Sequence, residues 1–192
     1  MNRSKLIICI SVIVVICLTV YAPNFLVKSD NPEKSDAIVL FIGPDFVPRK
    51  QEALRLLRDG YARYLIIPEY GAFLETPVSD VPLLTKSVTN SSGYPKYYER
   101  THVEVLEAKA TMDRAGIKSA IFVSSPYQMR RIDIMALKVL NRKDYTIKCV
   151  PSRYVDYGGI LWMLKRKDLI PVFSEYVKII WYMAYAVVSK DC

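Results

Sequence analysis

Ser119-Ala-Ile-Phe-Val123 runs without a break into Ser124-Ser125-Pro126, and behind it Gln128, Arg130 and Arg131 lie on a segment with helical spacing. A short, continuous apolar run rich in branched side chains fits a strand covered on both faces, as in a parallel sheet. Proline is accepted in the first turn of a helix, so Pro126 marks a strand-to-helix corner. On the carboxyl edge of a parallel sheet such a corner gathers backbone N–H groups, two hydroxyls and guanidinium groups, which is how α/β domains hold anions. This one corner predicts an architecture and a site.

Outward from it the alternation repeats. Ala37-Ile-Val-Leu-Phe-Ile42 is another buried strand, ended by Gly43-Pro44, and residues 49–59 read as a helix with Ala53, Leu54, Leu56 and Leu57 inward and Gly60 as its stop. Tyr64-Leu-Ile-Ile-Pro68 is the next strand, closing on Glu69-Tyr70-Gly71 and completing a unit of βαβ size. Beyond a Pro-, Ser- and Thr-rich stretch over residues 72–98, expected to be a long loop with room for one short helix, residues 101–115 are helical by pattern and Gly116 ends them. Strands follow at 118–123 and 145–150, with a helix at 126–140 between them. Met129, Ile132, Met135, Ala136, Val139 and Leu140 give that helix a core face. Arg131 lies about 200° around the helix from Met129, which predicts that it is solvated or in the site. The fold expected is α/β, a Rossmann-like three-layer domain with a mostly parallel sheet, preceded by one transmembrane helix.

The helix that precedes the domain is read from residues 6–22, where Ser11 and Thr19 are the only polar side chains, with Arg3 and Lys5 before them. A run of that length and composition is a membrane-insertion signal, and the basic flank keeps the short tail cytoplasmic with the remainder outside. A removed secretory peptide is the alternative, although Pro23 is a poor residue after a cleavage site. The chain divides into an anchor over residues 1–26, a tether over 27–35 and an α/β domain over 36–192. The apolar run near the C-terminus, residues 175–188, is interrupted by Lys178. It is expected to pack on the sheet as a helix, the alternative being a helix in the membrane interface with Trp181, Tyr182 and Tyr185 at head-group depth.

At 192 residues there is room for one ordinary domain beside the accessory segment. The formal charge is +8; the first 35 residues hold four basic and two acidic side chains, which leaves 23 basic against 17 acidic, or +6, in the domain. A basic domain favours anionic partners, and behind an anchor the nearest are phospholipid head groups and phosphorylated small molecules. The Lys165-Arg-Lys167 run has no interleaved aromatic residues, so no nucleic-acid partner is expected. Cys9 and Cys17 fall in the apolar run, leaving Cys149 and Cys192 too isolated for a disulfide framework, and no metal-ligand spacing occurs.

Asp36-Ala-Ile-Val-Leu, Arg49 leading into Ala53-Leu54, Gly60-Tyr-Ala, Thr101-His-Val-Glu104 and Val123-Ser-Ser-Pro-Tyr-Gln-Met-Arg-Arg131, in this order, resemble the YdcF/SanA/ElyC-like domain family. The likeness covers roughly residues 36–150. It implies a Rossmann-like domain behind a single anchor in the bacterial inner (cytoplasmic) membrane, facing the periplasm or exterior, with a part in envelope biogenesis or barrier function. It also implies site roles for Gly43, Arg49, Gly71, Thr101, Glu104, Ser125 and Arg131. Three departures stand out: the family's multi-glycine turn is here Gly43-Pro44-Asp45, the second turn reads Glu69-Tyr70-Gly71 where Ser-Gly-Gly is common, and Gln128 replaces a usual histidine. An amide does not titrate near neutrality, so an imidazole proton carrier at that position is missing.

Each candidate has a plainer reading beside it. Arg49, Ser124, Ser125 and Arg131 can hold phosphate through charge-assisted bonds, whereas Ser125 alone can simply cap the helix that Pro126 begins. Thr101-x-x-Glu104 has capping-box spacing, and Glu104 is otherwise a general base or a hydroxyl-binding carboxylate at the mouth of the cleft, with Asp45 or Glu69 as a second carboxylate. His102, the only histidine, reads as a surface residue. The function expected is binding of an anionic or phosphate-bearing small molecule, or a lipid-linked metabolite, by a cleft lined with Gly43, Arg49, Glu69, Gly71, Thr101, Ser124, Ser125, Gln128 and Arg131. Transfer or hydrolysis there would use Glu104 or Asp45 to move a proton. A non-catalytic envelope factor that senses a ligand or docks a membrane partner is the second expectation, and a nucleotide or methyl-donor binding module the third. No cofactor is indicated.

Overall fold

The computed structural model describes residues 3–77, 93–157 and 166–187; much of the expected 72–98 loop, with Gly158, Gly159, Lys165 and Cys192, lies outside them. The elements are α1 (Arg3–Leu26), β1 (Ala37–Leu40), α2 (Phe46–Arg58), β2 (Tyr64–Ile67), β3 (Ala72–Glu75), α3 (Arg100–Ala115), β4 (Ser119–Ser124), α4 (Met129–Val139), β5 (Thr146–Pro151) and α5 (Arg166–Ala186), with short 3₁₀ turns at Pro68–Tyr70 and Pro126–Gln128. The strands form one five-stranded sheet in the order β3-β2-β1-β4-β5. β1 pairs in parallel with β2 and β4, β4 in parallel with β5, and β3 runs antiparallel on the edge of β2. The chain is α/β, with a mostly parallel sheet and one apolar N-terminal helix.

Side chains alternate across a strand, and β1 shows what that does here. Ala37, Val39 and Phe41 join one buried cluster with Val105, Met112, Met129, Ile132 and Met135, whereas Ile38 and Leu40 join another with Ala53, Leu56 and Leu57 of α2. Both sheet faces are therefore covered, which is why the strands read as unbroken apolar runs. The methionine-rich face of α4 is core, as its spacing predicts; each such side chain, fully buried, contributes about 1.5–3 kcal/mol.

β3 corrects the expectation of a loop from residue 72. Gly71 takes a left-handed conformation (φ 59°), which turns the chain after the Pro68–Tyr70 turn and lays Ala72-Phe-Leu-Glu75 back along β2. A strand of four residues, Ala72-Phe-Leu-Glu75, is too short to display a period of two. The tether is likewise pinned rather than loose: Asp30 N–H donates to the Cys149 carbonyl (2.7 Å), and the Asp30 carboxylate accepts the Cys149 N–H (2.9 Å).

Within α1, Leu6–Leu26 is long and apolar enough to cross a membrane. Its last turn docks on the domain, where Leu26 is buried with Tyr127 and Val172. Rather than lying on the sheet as expected, α5 packs chiefly against α1, α4 and the Pro126–Gln128 turn, and its Tyr182 and Tyr185 join the buried cluster beside His102 of α3.

Candidate functional site

After β1 the chain builds toward β2 on one side, and after β2 and β3 it returns to place β4 on the other, so the strand order reverses between β1 and β4. The carboxyl ends at such a reversal diverge and leave room for side chains from both following segments. Arg49 arrives there from α2 and Ser125 from the corner after β4.

Arg49 is completely buried. Its Nε donates to Ser125 Oγ at 2.8 Å and one terminal nitrogen donates to the Phe41 carbonyl at 3.2 Å. The second terminal nitrogen, NH2, is buried without a hydrogen-bond partner and stands 4.0 Å from Asp45 Oδ2. Burial pushes the guanidinium pKa down, against the opposing pull of Tyr127, Asp45 and Glu104. Gly43 makes the position possible, because a Cβ there would lie 2.6 Å from one guanidinium nitrogen and 2.8 Å from the other. Glycine at the end of β1 thus serves close approach, with no special φ required.

Ser125 Oγ accepts from Arg49 and donates to Asp45 Oδ2 at 2.6 Å, and the Tyr127 hydroxyl donates to that same oxygen at 2.6 Å. Ser125 makes no capping bond to the helix behind it, which rules out the plain reading of that hydroxyl as a cap. Burial, and then the bond to Asp45, push the Tyr127 phenol up to about 12. Asp45, Tyr127, Pro48, Tyr154, Asp156 and Tyr157 line a hollow of about 320 Å³ beside this cluster.

Glu104 reaches the same strand end from α3. It is buried, and its Oε1 accepts the Ile42 N–H at 3.2 Å, just past β1. Burial, reinforced by the charge of Glu69, raises its pKa to about 8, while the Ile42 bond, Arg100 and Arg49 pull the other way. Near neutral pH it therefore holds a proton. Glu69 is also buried, clamped by Arg100 through Nε at 3.2 Å and NH2 at 2.5 Å.

The structure brings together Gly43, Asp45, Arg49, Ser125 and Glu104 and leaves other candidates in different roles. No capping box forms: α3 begins at Arg100 and is capped by Glu99, which accepts the Thr101 N–H at 2.8 Å, while Glu104 faces β1. Thr101 is buried in the first turn. Ser124 Oγ is bonded to Gln128 Oε1 at 3.2 Å, holding the corner together. Gly71 serves its turn. Arg131 is neither solvated nor free for a ligand, because it is buried and bonded to Glu175 (Nε 2.5 Å, NH2 3.1 Å) and Glu99 (2.7 Å). Burial lowers its pKa, but these two carboxylates more than reverse the effect. His102 is buried as well, against Tyr98, Tyr182 and Tyr185, and desolvation lowers it to about 4.

Spacing gave no hint of Glu99, Arg100 or Glu175, since each acts through a partner at least 31 residues away. Tyr127 stood in the quoted corner segment, and only its contact with Asp45 gives it a role. No family model, curated protein or solved structure matches this chain.

The arrangement offers a buried cation with an open donor, a hydroxyl-carboxylate relay through Ser125, Asp45 and Tyr127, and a carboxyl that is neutral at pH 7. That set can bind an anionic oxygen and move a proton beside it.

Proposed function

We propose that this is a membrane-anchored envelope protein of the YdcF/SanA/ElyC-like type, a Rossmann-like three-layer domain held at the inner membrane by α1, whose cleft binds a phosphate-bearing small molecule. The observation that carries this reading is the unpartnered NH2 of the wholly buried Arg49. A buried guanidinium loses several kcal/mol of hydration, and native proteins leave few such donors unmatched. Asp45, at 4.0 Å, stands where an anionic ligand oxygen would bind and acts as its competitor. When Asp45 turns toward solvent, phosphate takes its place on Arg49, and the rest of the ligand occupies the hollow between Tyr127, Tyr154 and Tyr157. Transfer or hydrolysis there would use Arg49 to neutralise charge and the protonated Glu104 to donate to a leaving group.

Thermal melting of the full chain in detergent, with inorganic phosphate, phosphate monoesters, nucleotides and S-adenosylmethionine, tests the reading. Phosphate monoesters are expected to raise the melting temperature through mass action, and Arg49→Leu to abolish that rise. Asp45→Asn is expected to enlarge it. A rise that survives in Arg49→Leu, or no rise with any phosphate compound, overturns the proposal. A rise with nucleotide or S-adenosylmethionine alone favours the binding-module reading instead.

A further inference from the structure

We infer that α5 lies in the lipid head-group region beside α1, with one apolar face buried in the bilayer surface. The inference rests on the reading of α1 as a membrane anchor.

α5 has three faces. Val172, Tyr176 and Ile179 turn toward the end of α1, where Val172 is buried with Leu26, the Tyr176 hydroxyl donates to the Ala22 carbonyl (2.9 Å) and the Tyr176 ring stacks on Phe25. Glu175, Tyr182 and Tyr185 turn toward the domain, Glu175 to hold Arg131 and the tyrosines to fill the core. The third face carries Ile170, Phe173, Val177, Ile180 and Trp181, all exposed; Phe173 is 71% and Ile180 67% accessible. Steps of three and four residues along a helix place Ile170, Phe173, Val177 and Ile180 in one stripe, and the stripe holds no charged side chain.

A soluble helix facing water would carry polar residues there, so this face has an occupant. Continuity identifies it. α1 is apolar on all sides, with Ile7, Ile8, Val15 and Tyr21 exposed, and needs acyl chains around it. The apolar run over residues 6–22 is about 26 Å long as a helix, which brings its end to the head groups. At that end, at Ala22, Phe25 and Leu26, α5 is packed against it. The exposed stripe of α5 therefore begins at the depth where α1 emerges. In the sequence Lys165-Arg-Lys167 shortly precedes Ile170, and a basic run next to an apolar one fits anionic head groups. Trp181 donates from Nε1 to the Tyr97 carbonyl while half its surface stays open, the amphipathic placement that suits an interface.

Trp162 and Trp181 are the only tryptophans, so Trp162→Phe makes Trp181 a sole reporter. The full chain is reconstituted into phosphatidylcholine–phosphatidylglycerol vesicles whose acyl chains are unlabelled, brominated near the head group or brominated at mid-chain. Co-flotation with the vesicles is read first. Stronger quenching of Trp181 by the shallow bromines than by the deep ones, with protection from iodide, is expected. Quenching by iodide and by neither bromine, in protein that floats, overturns the inference while leaving the anchor intact. Protection from all three quenchers assigns the face to another protein surface, such as a second copy, and also overturns it. Failure to float overturns the anchor and the inference together; the phosphate test in detergent is independent of both. Hydroxyl-radical footprinting of the unaltered chain in the same vesicles supplies a second readout, in which Phe173 is shielded and Tyr154 is labelled; equal labelling overturns the inference.

Discussion

Among the described residues two arginines, Arg49 and Arg131, are buried, and their surroundings differ. Arg131 meets Glu175 and Glu99 with every branch of its guanidinium engaged, so it joins α4 to α5 and to the start of α3 as a structural ion-pair centre. Arg49 meets a hydroxyl and a carbonyl, keeps one nitrogen unmatched, and has its nearest carboxylate at 4.0 Å. A buried charge whose partners are complete has nothing left to offer a ligand, whereas an incomplete one is poised to accept one. The same residue type in the same kind of corner thus serves stability in one place and binding in the other.

The sharpest way to break this contrast is Arg131→Ala. It leaves Glu99 without a cation and Glu175 with only the half-exposed Lys178 ammonium (3.0 Å), and is expected to cost about 3–5 kcal/mol, read from denaturant unfolding. Replacing all three as Arg131→Met, Glu175→Leu and Glu99→Gln is expected to restore much of that, because apolar packing substitutes well for a buried ion pair. A loss of well under 1 kcal/mol on Arg131→Ala would mean that the two arginines are alike.

Stability against pH sharpens the contrast next, through Glu104 on the Arg49 side and His102 on the α5 side. Glu104 keeps its proton up to about 8 in the folded chain, against 4.5 when unfolded, so its contribution is complete below pH 4.5 and is lost as pH rises toward 8. His102 has the opposite sign: lowered to about 4, it stays neutral when folded, and stability is lost as pH falls from 6.5 toward 4. Glu104→Gln is expected to flatten the alkaline decline and His102→Gln the acid one, each by up to a few kcal/mol across its window, in melts taken pH by pH. Unchanged slopes would show that the two groups titrate normally.

Arg49→Leu is expected to cost only about 1–2 kcal/mol, since it strands two weak partners while removing a poorly matched charge. Its stability loss is therefore smaller than that of Arg131→Ala, and its loss of phosphate response is complete. Gly43→Ala is the mildest, at about 1 kcal/mol. Its methyl group would displace a guanidinium held by Ser125 and Phe41, so weakened ligand response with a nearly unchanged melting temperature is expected.

Much of this molecule was legible in the sequence. The parallel strands announced themselves through unbroken apolar runs, because burial on both faces leaves no polar alternation, and the methionine stripe of α4 follows from helical period alone. The apolar run over residues 6–22 fixed α1 by composition. Antiparallel β3 stayed hidden, because its pairing depends on a glycine turn and a neighbouring strand and leaves almost no local pattern. Arg131 shows the limit most clearly. Helical geometry placed it off the core face correctly, yet α5, 44 residues further on, closes over it with Glu175 and makes it interior. His102 was misread for the same reason, since Tyr182 and Tyr185 of that helix cover it.

Chain order and hydropathy by themselves determined where the strands, helices and apolar anchor lie, because these depend on neighbours within a few residues. Only the tertiary structure decided which charges are paired, which are neutral and which are left open, because those depend on carboxylates and hydroxyls brought from distant segments into a space without water.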